Sequence, residues 1–142
     1  MKPKLLLRIT SFLMLFYGSS HTFGVLTMKK VEDESALKVL DMMSGVHVPM
    51  FGKPSPSTYF DFFLGYGLTS TVVLLTLCAI FWMLAGQAES NRTAVRNLLI
   101  PLLCAMIGFT VLDFIYFFPP PAITCLAASV CIAVSVALLS RK

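Results

Sequence analysis

The chain has 142 residues, of which 57% are hydrophobic and 13% charged, and its formal net charge is +4. Soluble domains carry about 25% charged residues, so a chain this apolar lacks the polar surface to face water on every side. The positive balance does not point to nucleic acid. The basic residues sit at the ends of apolar runs and not along one face, which is the arrangement membrane orientation requires.

The first apolar run extends from Leu5 to about Leu26, behind Lys2, Lys4 and Arg8. It has the length of a crossing and lacks an A-x-A-like cleavage site, so it is expected to be a retained transmembrane helix. Its second half turns polar at Tyr17, Ser19, Ser20, His21 and Thr22. Helical spacing places Tyr17 and His21 on one face. Gly18 with Thr22 and Ser20 with Gly24 are small pairs that let another helix approach.

Residues 28–57 form the one long polar stretch, an outer loop. Acids at its start and recurring Leu37, Leu40 and Met43 predict an amphipathic helix over about 33–43, lying on the membrane surface. Residues 45–57 are expected to be extended or to form a shallow re-entrant loop, and Pro54 and Pro56 end any helix before Ser57.

Further apolar runs cover about 58–85, 97–118 and 122–139. In the third run of the chain Pro101 is read as falling in the first turn, where a missing N–H costs little. Pro119-Pro120-Pro121 predicts a stiff reversal. In the last run Ala127, Cys131 and Ser135 suggest a small packing stripe. Cys78, Cys104, Cys125 and Cys131 all lie in apolar runs without C-x-x-C spacing and are read as packing residues. The expected architecture is therefore all-α: a single integral membrane domain over 1–142, a four-helix bundle with a short amphipathic helix in its first outer loop. Basic residues at the start, between the second and third runs, and at Arg141-Lys142 place both termini in the cytoplasm and the protein in the cell inner (plasma) membrane as a multi-pass protein.

Three ionisable residues from three runs, His21, Asp61 and Asp113, fall within roughly 5–10 Å of the outer boundary at 1.5 Å per residue. Tyr17, Tyr59, Tyr66 and Tyr116 surround that level. Ionisable groups in a bilayer usually face a cavity or one another. These seven residues are the candidates for a polar cluster or ligand site. Each also has a plainer role. Thr58-Tyr59-Phe60-Asp61 fits a capping box at a helix start. Asp113 lies near the headgroups, His21 suits an interhelical hydrogen bond, and the tyrosines suit an interfacial belt. His47 is read as a solvated loop residue. No ligand spacing supports a metal, and no cofactor is expected.

At His21-Thr22-Phe23-Gly24 and at Ser57-Thr58-Tyr59-Phe60-Asp61-Phe62-Phe63-Leu64-Gly65-Tyr66-Gly67-Leu68 the chain resembles an uncharacterised family of small bacterial four-helix integral membrane proteins. The shared parts are the His-Thr-x-Gly and the Thr-Tyr-aromatic-Asp-Phe runs, with Phe60 where that family often has Trp. The resemblance implies the four-helix membrane fold and no particular activity. In helix count the chain is also loosely similar to DoxX-like proteins and to the sterol-isomerase-like EXPERA group.

The reading that follows is a small polytopic membrane protein that binds a lipid-like amphiphile or serves as an accessory subunit. Its expected partners are membrane lipid, a lipid-like small molecule, and copies of itself or a larger membrane assembly. Two alternatives stand beside it. One is a membrane enzyme on a lipid-like substrate, using His21 with Asp61 or Asp113. The other is proton-coupled transport by an oligomer.

Overall fold

A computed structural model describes residues 2–141. They are mostly helical: α1 (Pro3–Thr27), a 3-10 turn at Met28–Lys30, α2 (Glu34–Gly45), strands β1 (His47–Met50) and β2 (Lys53–Thr58), then α3 (Tyr59–Gln87), α4 (Arg92–Tyr116) and α5 (Pro119–Ser140). Helices α3, α4 and α5 are long and apolar enough to cross a membrane. Four such helices were expected and three meet that description. The exception, α1, has the length, with 25 residues, but Lys4, Arg8 and the polar stretch from Tyr17 to Thr22 dilute its apolar character.

The chain divides into two compact units, residues 2–17 with 74–141, and Gly18–Val73. The first unit is a helical core. Leu7 and Met14 of α1, Leu77 and Phe81 of α3, Leu99 and Met106 of α4, and Cys125 and Ile132 of α5 are among its buried residues. Large apolar side chains such as Trp82, Met83, Ile107, Ile123 and Val130 point outward, the distribution expected when the surrounding solvent is hydrocarbon. Buried hydroxyls are satisfied within their own helices: Thr10 donates to the Leu6 carbonyl, Thr110 to Met106 and Ser135 to Cys131. Ser11 reaches across to the Cys78 carbonyl at 2.8 Å.

Helix α4 begins at Arg92, five residues before the apolar run that predicted it, because charged residues beyond an apolar segment can continue its helix. Pro101 consequently sits inside α4 and not in its first turn. The three prolines read as a reversal instead form the first turn of α5, where the missing N–H groups would have had no intrahelical partner. Phe117 and Phe118 alone separate α4 from α5. The face that α5 buries runs through Ala122, Cys125, Ala128, Ser129, Ile132, Ser135 and Leu139. Ala127, expected on the packed stripe, is exposed. At the other end of this pair, the Arg92 guanidinium donates to the Leu138 and Arg141 carbonyls at 3.0 and 2.8 Å, satisfying carbonyls that a helix end leaves unpaired.

The second unit holds the remainder of α1 and α3 with the segment between them. Asp33 caps α2 by accepting the Ala36 N–H at 2.8 Å, and no residue of α2 is buried. Residues 47–58 are a paired hairpin with the register Met50↔Lys53 and His47↔Thr58. Phe51 and Gly52 form its turn with φ of 50° and 77°, the doubly left-handed geometry that suits two-residue hairpins. The Tyr59 N–H donates to the Val46 carbonyl at 3.0 Å, joining the hairpin to the start of α3.

Candidate functional site

Within the second unit α1 lies against α3 at one narrow place. A side-chain Cβ built on Gly67 would stand 2.7 Å from Val25 Cγ2, so the glycine is what lets the two backbones approach. Around that point His21 Nε2 lies 3.0 Å from the Gly67 carbonyl oxygen, which accepts the ring N–H. Thr22 Oγ1 and Thr71 Oγ1 are 3.0 Å apart. Two polar pairs thus flank a close backbone contact, as is common between helices in a bilayer. The close approach was expected at the small residues of α1. It falls on Gly67 of α3, while Gly24 faces open space.

Asp61 lies in the first turn of α3. Its Oδ2 accepts both the Thr58 N–H and the Thr58 hydroxyl, each at 2.8 Å, and the Asp61 N–H donates to Thr58 Oγ1 at 3.1 Å. This is a reciprocal capping box, and it uses one oxygen of the carboxylate. Oδ1 accepts no hydrogen bond from the described residues. The side chain is exposed.

A groove of about 240 Å³ opens beside it, lined by Ser57, Asp61, Phe62, Gly65, Tyr66 and Thr69. At about 100° per residue, the five lining residues of α3 fall on one side of the helix, opposite Phe60, Gly67 and Thr71. The groove therefore faces away from α1 within this unit. Phe62 and Tyr66 form its aromatic wall, edge to face at 5.3 Å between ring centroids. Gly65 forms its floor, with open space where a side chain would project.

The first unit holds a separate polar cluster. Asp113 of α4 is 5% exposed. The Tyr17 hydroxyl of α1 lies 3.3 Å from both of its carboxylate oxygens and donates to them. The buried Cys125 of α5 interacts with the same carboxylate. One turn along, Thr110 and Ser129 hydroxyls are 3.3 Å apart. Three helices therefore share one buried carboxylate, and at 3.3 Å its hydrogen bonds are long.

The seven candidate residues distribute as follows. Tyr17 and Asp113 meet. Asp61 and Tyr66 share the groove. Asp61 pairs with Thr58, and His21 with a carbonyl six residues further along α3, a rise of about 9 Å. Tyr59 and Tyr116 are exposed at the ends of α3 and α4. Among the described residues, no three His, Cys, Asp or Glu side chains are placed to hold a metal ion. The sequence reading missed Cys125 and Gly67. Cys125 was within reach of pattern reasoning, because Asp113 and Cys125 lie six residues either side of Pro119, and a tight helical hairpin pairs positions equidistant from its bend. Gly67 had no such signal, since its partner is 42 residues earlier in the chain. No family model, no curated protein and no solved structure matches the chain.

Proposed function

We propose that this is a small multi-pass membrane protein that binds a lipid-like amphiphile in the groove on α3. In this reading α1 is a fourth crossing, both termini face the cytoplasm, and the membrane is a bacterial inner membrane. The positions of the basic residues support that orientation. The observation that carries the binding reading is the groove itself. It combines a carboxylate with an open oxygen, an aromatic wall and a glycine floor, on the side of α3 turned away from α1. An apolar cleft with a few polar groups at its mouth is the usual form of an amphiphile site. The enzyme reading has less support, because His21 is engaged with the Gly67 carbonyl, about 9 Å along α3 from Asp61.

Gly65→Leu tests the proposal. A Cβ at this position projects into open space with no protein atom within 4 Å, so the backbone should keep its course while the rest of the side chain fills the groove. Native mass spectrometry of the protein released from nanodiscs should show lipid adducts on the wild type and their loss from Gly65→Leu. Equal adducts on a correctly folded Gly65→Leu would overturn the reading.

A further inference from the structure

We infer that the groove on α3 selects amphiphiles whose head group carries a protonated amine, with the free Oδ1 of Asp61 as its counter-ion. This rests on the amphiphile reading and adds the chemistry of the head group.

The capping box needs only one carboxylate oxygen, and Thr58 occupies it with two donors at 2.8 Å. Those bonds also hold the carboxylate in one rotamer, so Oδ1 is presented without further ordering. An ammonium group offers donors and no acceptor, and it matches an oxygen that can only accept. The lining contains no basic residue. Lys29, whose Nζ lies 4.0 Å above the Phe60 ring on the side of α3 opposite the groove, and His47 both act on the Asp61 carboxylate through space, but neither lines the groove. An anionic head would therefore meet a carboxylate and find no cation in the groove. The faces of Phe62 and Tyr66 favour a cation over an anion.

Depth along the helix is consistent with a phospholipid-like molecule. Asp61 lies in the first turn, at the level of head groups if α3 begins at the membrane boundary. Thr69, whose hydroxyl makes no hydrogen bond with the described residues, lies about 12 Å further along the axis. An amine at Asp61 leaves the phosphate and then an ester carbonyl further along the axis, in the direction of the Thr69 hydroxyl. Acyl chains then follow the apolar surface of α3 at Val72 and Val73, both exposed.

The test uses the full chain with Trp82→Phe, which removes the single tryptophan, and Leu68→Trp as a reporter beside the groove but outside its lining. The protein is placed in vesicles of equal parts phosphatidylethanolamine and phosphatidylglycerol. Brominated acyl chains, which quench tryptophan, are carried by one lipid or the other. Quenching by the brominated amine lipid should exceed that by the brominated glycerol lipid about two- to fivefold in local occupancy, the range an interfacial ion pair supplies. Asp61→Asn, whose amide oxygen can still accept the Thr58 N–H and hydroxyl, should bring the two to parity. Equal quenching in the wild type that drops with Gly65→Leu would overturn the head-group inference and leave amphiphile binding standing. Equal quenching indifferent to Gly65→Leu would overturn both. A preference for the amine lipid that survives Asp61→Asn would refute the assignment to Asp61. A preference for the anionic lipid would refute the inference outright.

Discussion

Replacing Gly67 by Ala separates tertiary contact from local propensity, because the two act in opposite directions. In an isolated helix Ala is favoured over Gly by about 0.8–1 kcal/mol. In this structure the new methyl would lie 2.7 Å from Val25 Cγ2 and 3.1 Å from Cγ1. Carbon atoms sit at about 3.5–4.0 Å, so α1 and α3 must part locally by about 1 Å. Val25 cannot simply turn aside, since a helical valine has one strongly preferred rotamer. Parting the helices lengthens the 3.0 Å contacts of His21 with Gly67 and of Thr22 with Thr71. Overpacking of this kind costs about 1–3 kcal/mol, which leaves a net loss of about 1 kcal/mol after the gain in propensity. In a Val25→Ala background the remaining Cβ is 3.6 Å away, an ordinary contact, and Gly67→Ala should become neutral or stabilising. Reversible unfolding by sodium dodecyl sulfate in mixed micelles, followed by far-ultraviolet circular dichroism, gives all four corners of this cycle. The expected coupling between the two sites is about 1–3 kcal/mol. Additive effects within about 0.5 kcal/mol would refute the close approach of α1 to α3. Gly65→Ala on the same helix is the control, and it should show the propensity gain alone.

Two further predictions concern the other polar features. Tyr17→Phe and Asp113→Asn should each destabilise the first unit by about 0.5–1.5 kcal/mol, the range for interhelical hydrogen bonds in bilayers, and the double variant should cost less than the sum in the same unfolding assay. Independent effects would mean that the 3.3 Å contact contributes nothing. Phe51 occupies a left-handed conformation at the hairpin turn and is 99% exposed, so Phe51→Asn should relieve about 1 kcal/mol of backbone strain and slow amide exchange across residues 47–58. Faster exchange would show that the ring is held by something outside the chain.

The helices were legible because long apolar runs leave few alternatives, and the start of α3 was legible because Thr58 and Asp61 stand at capping-box spacing. The hairpin at 47–58 was hidden by its prolines. Pro49, Pro54 and Pro56 weaken a strand pattern, yet a two-stranded ribbon consists only of edges, where proline is tolerated. The starts of α4 and α5 lie outside their apolar runs for a related reason. The polar residues at Arg92–Arg96 and the prolines at 119–121 have the sequence character of helix boundaries, yet both stretches are helical. Helices continue past the apolar zone and can begin on proline. In the candidate site, the residue types were visible and their pairing was not. Depth groups Asp113 with His21 and Asp61, and within its own unit Asp113 meets Tyr17 and Cys125. Depth is one coordinate, and side-chain pairing also depends on the rotation of each helix about its axis, which a sequence without strong amphipathic bias does not encode.

The two-residue link between α4 and α5 has a consequence for biogenesis. Phe117 and Phe118 carry no charge, and the flanking Tyr116 and Pro119 add none. Such a link is too short to let one helix settle before the other emerges. The pair should enter the bilayer together as a helical hairpin, pulling only an uncharged bend through the hydrocarbon. Arg92 would then act as a latch on the trailing side. Its bonds to the Leu138 and Arg141 carbonyls can form only after synthesis has passed residue 141, so closure of that end would report that the hairpin is complete.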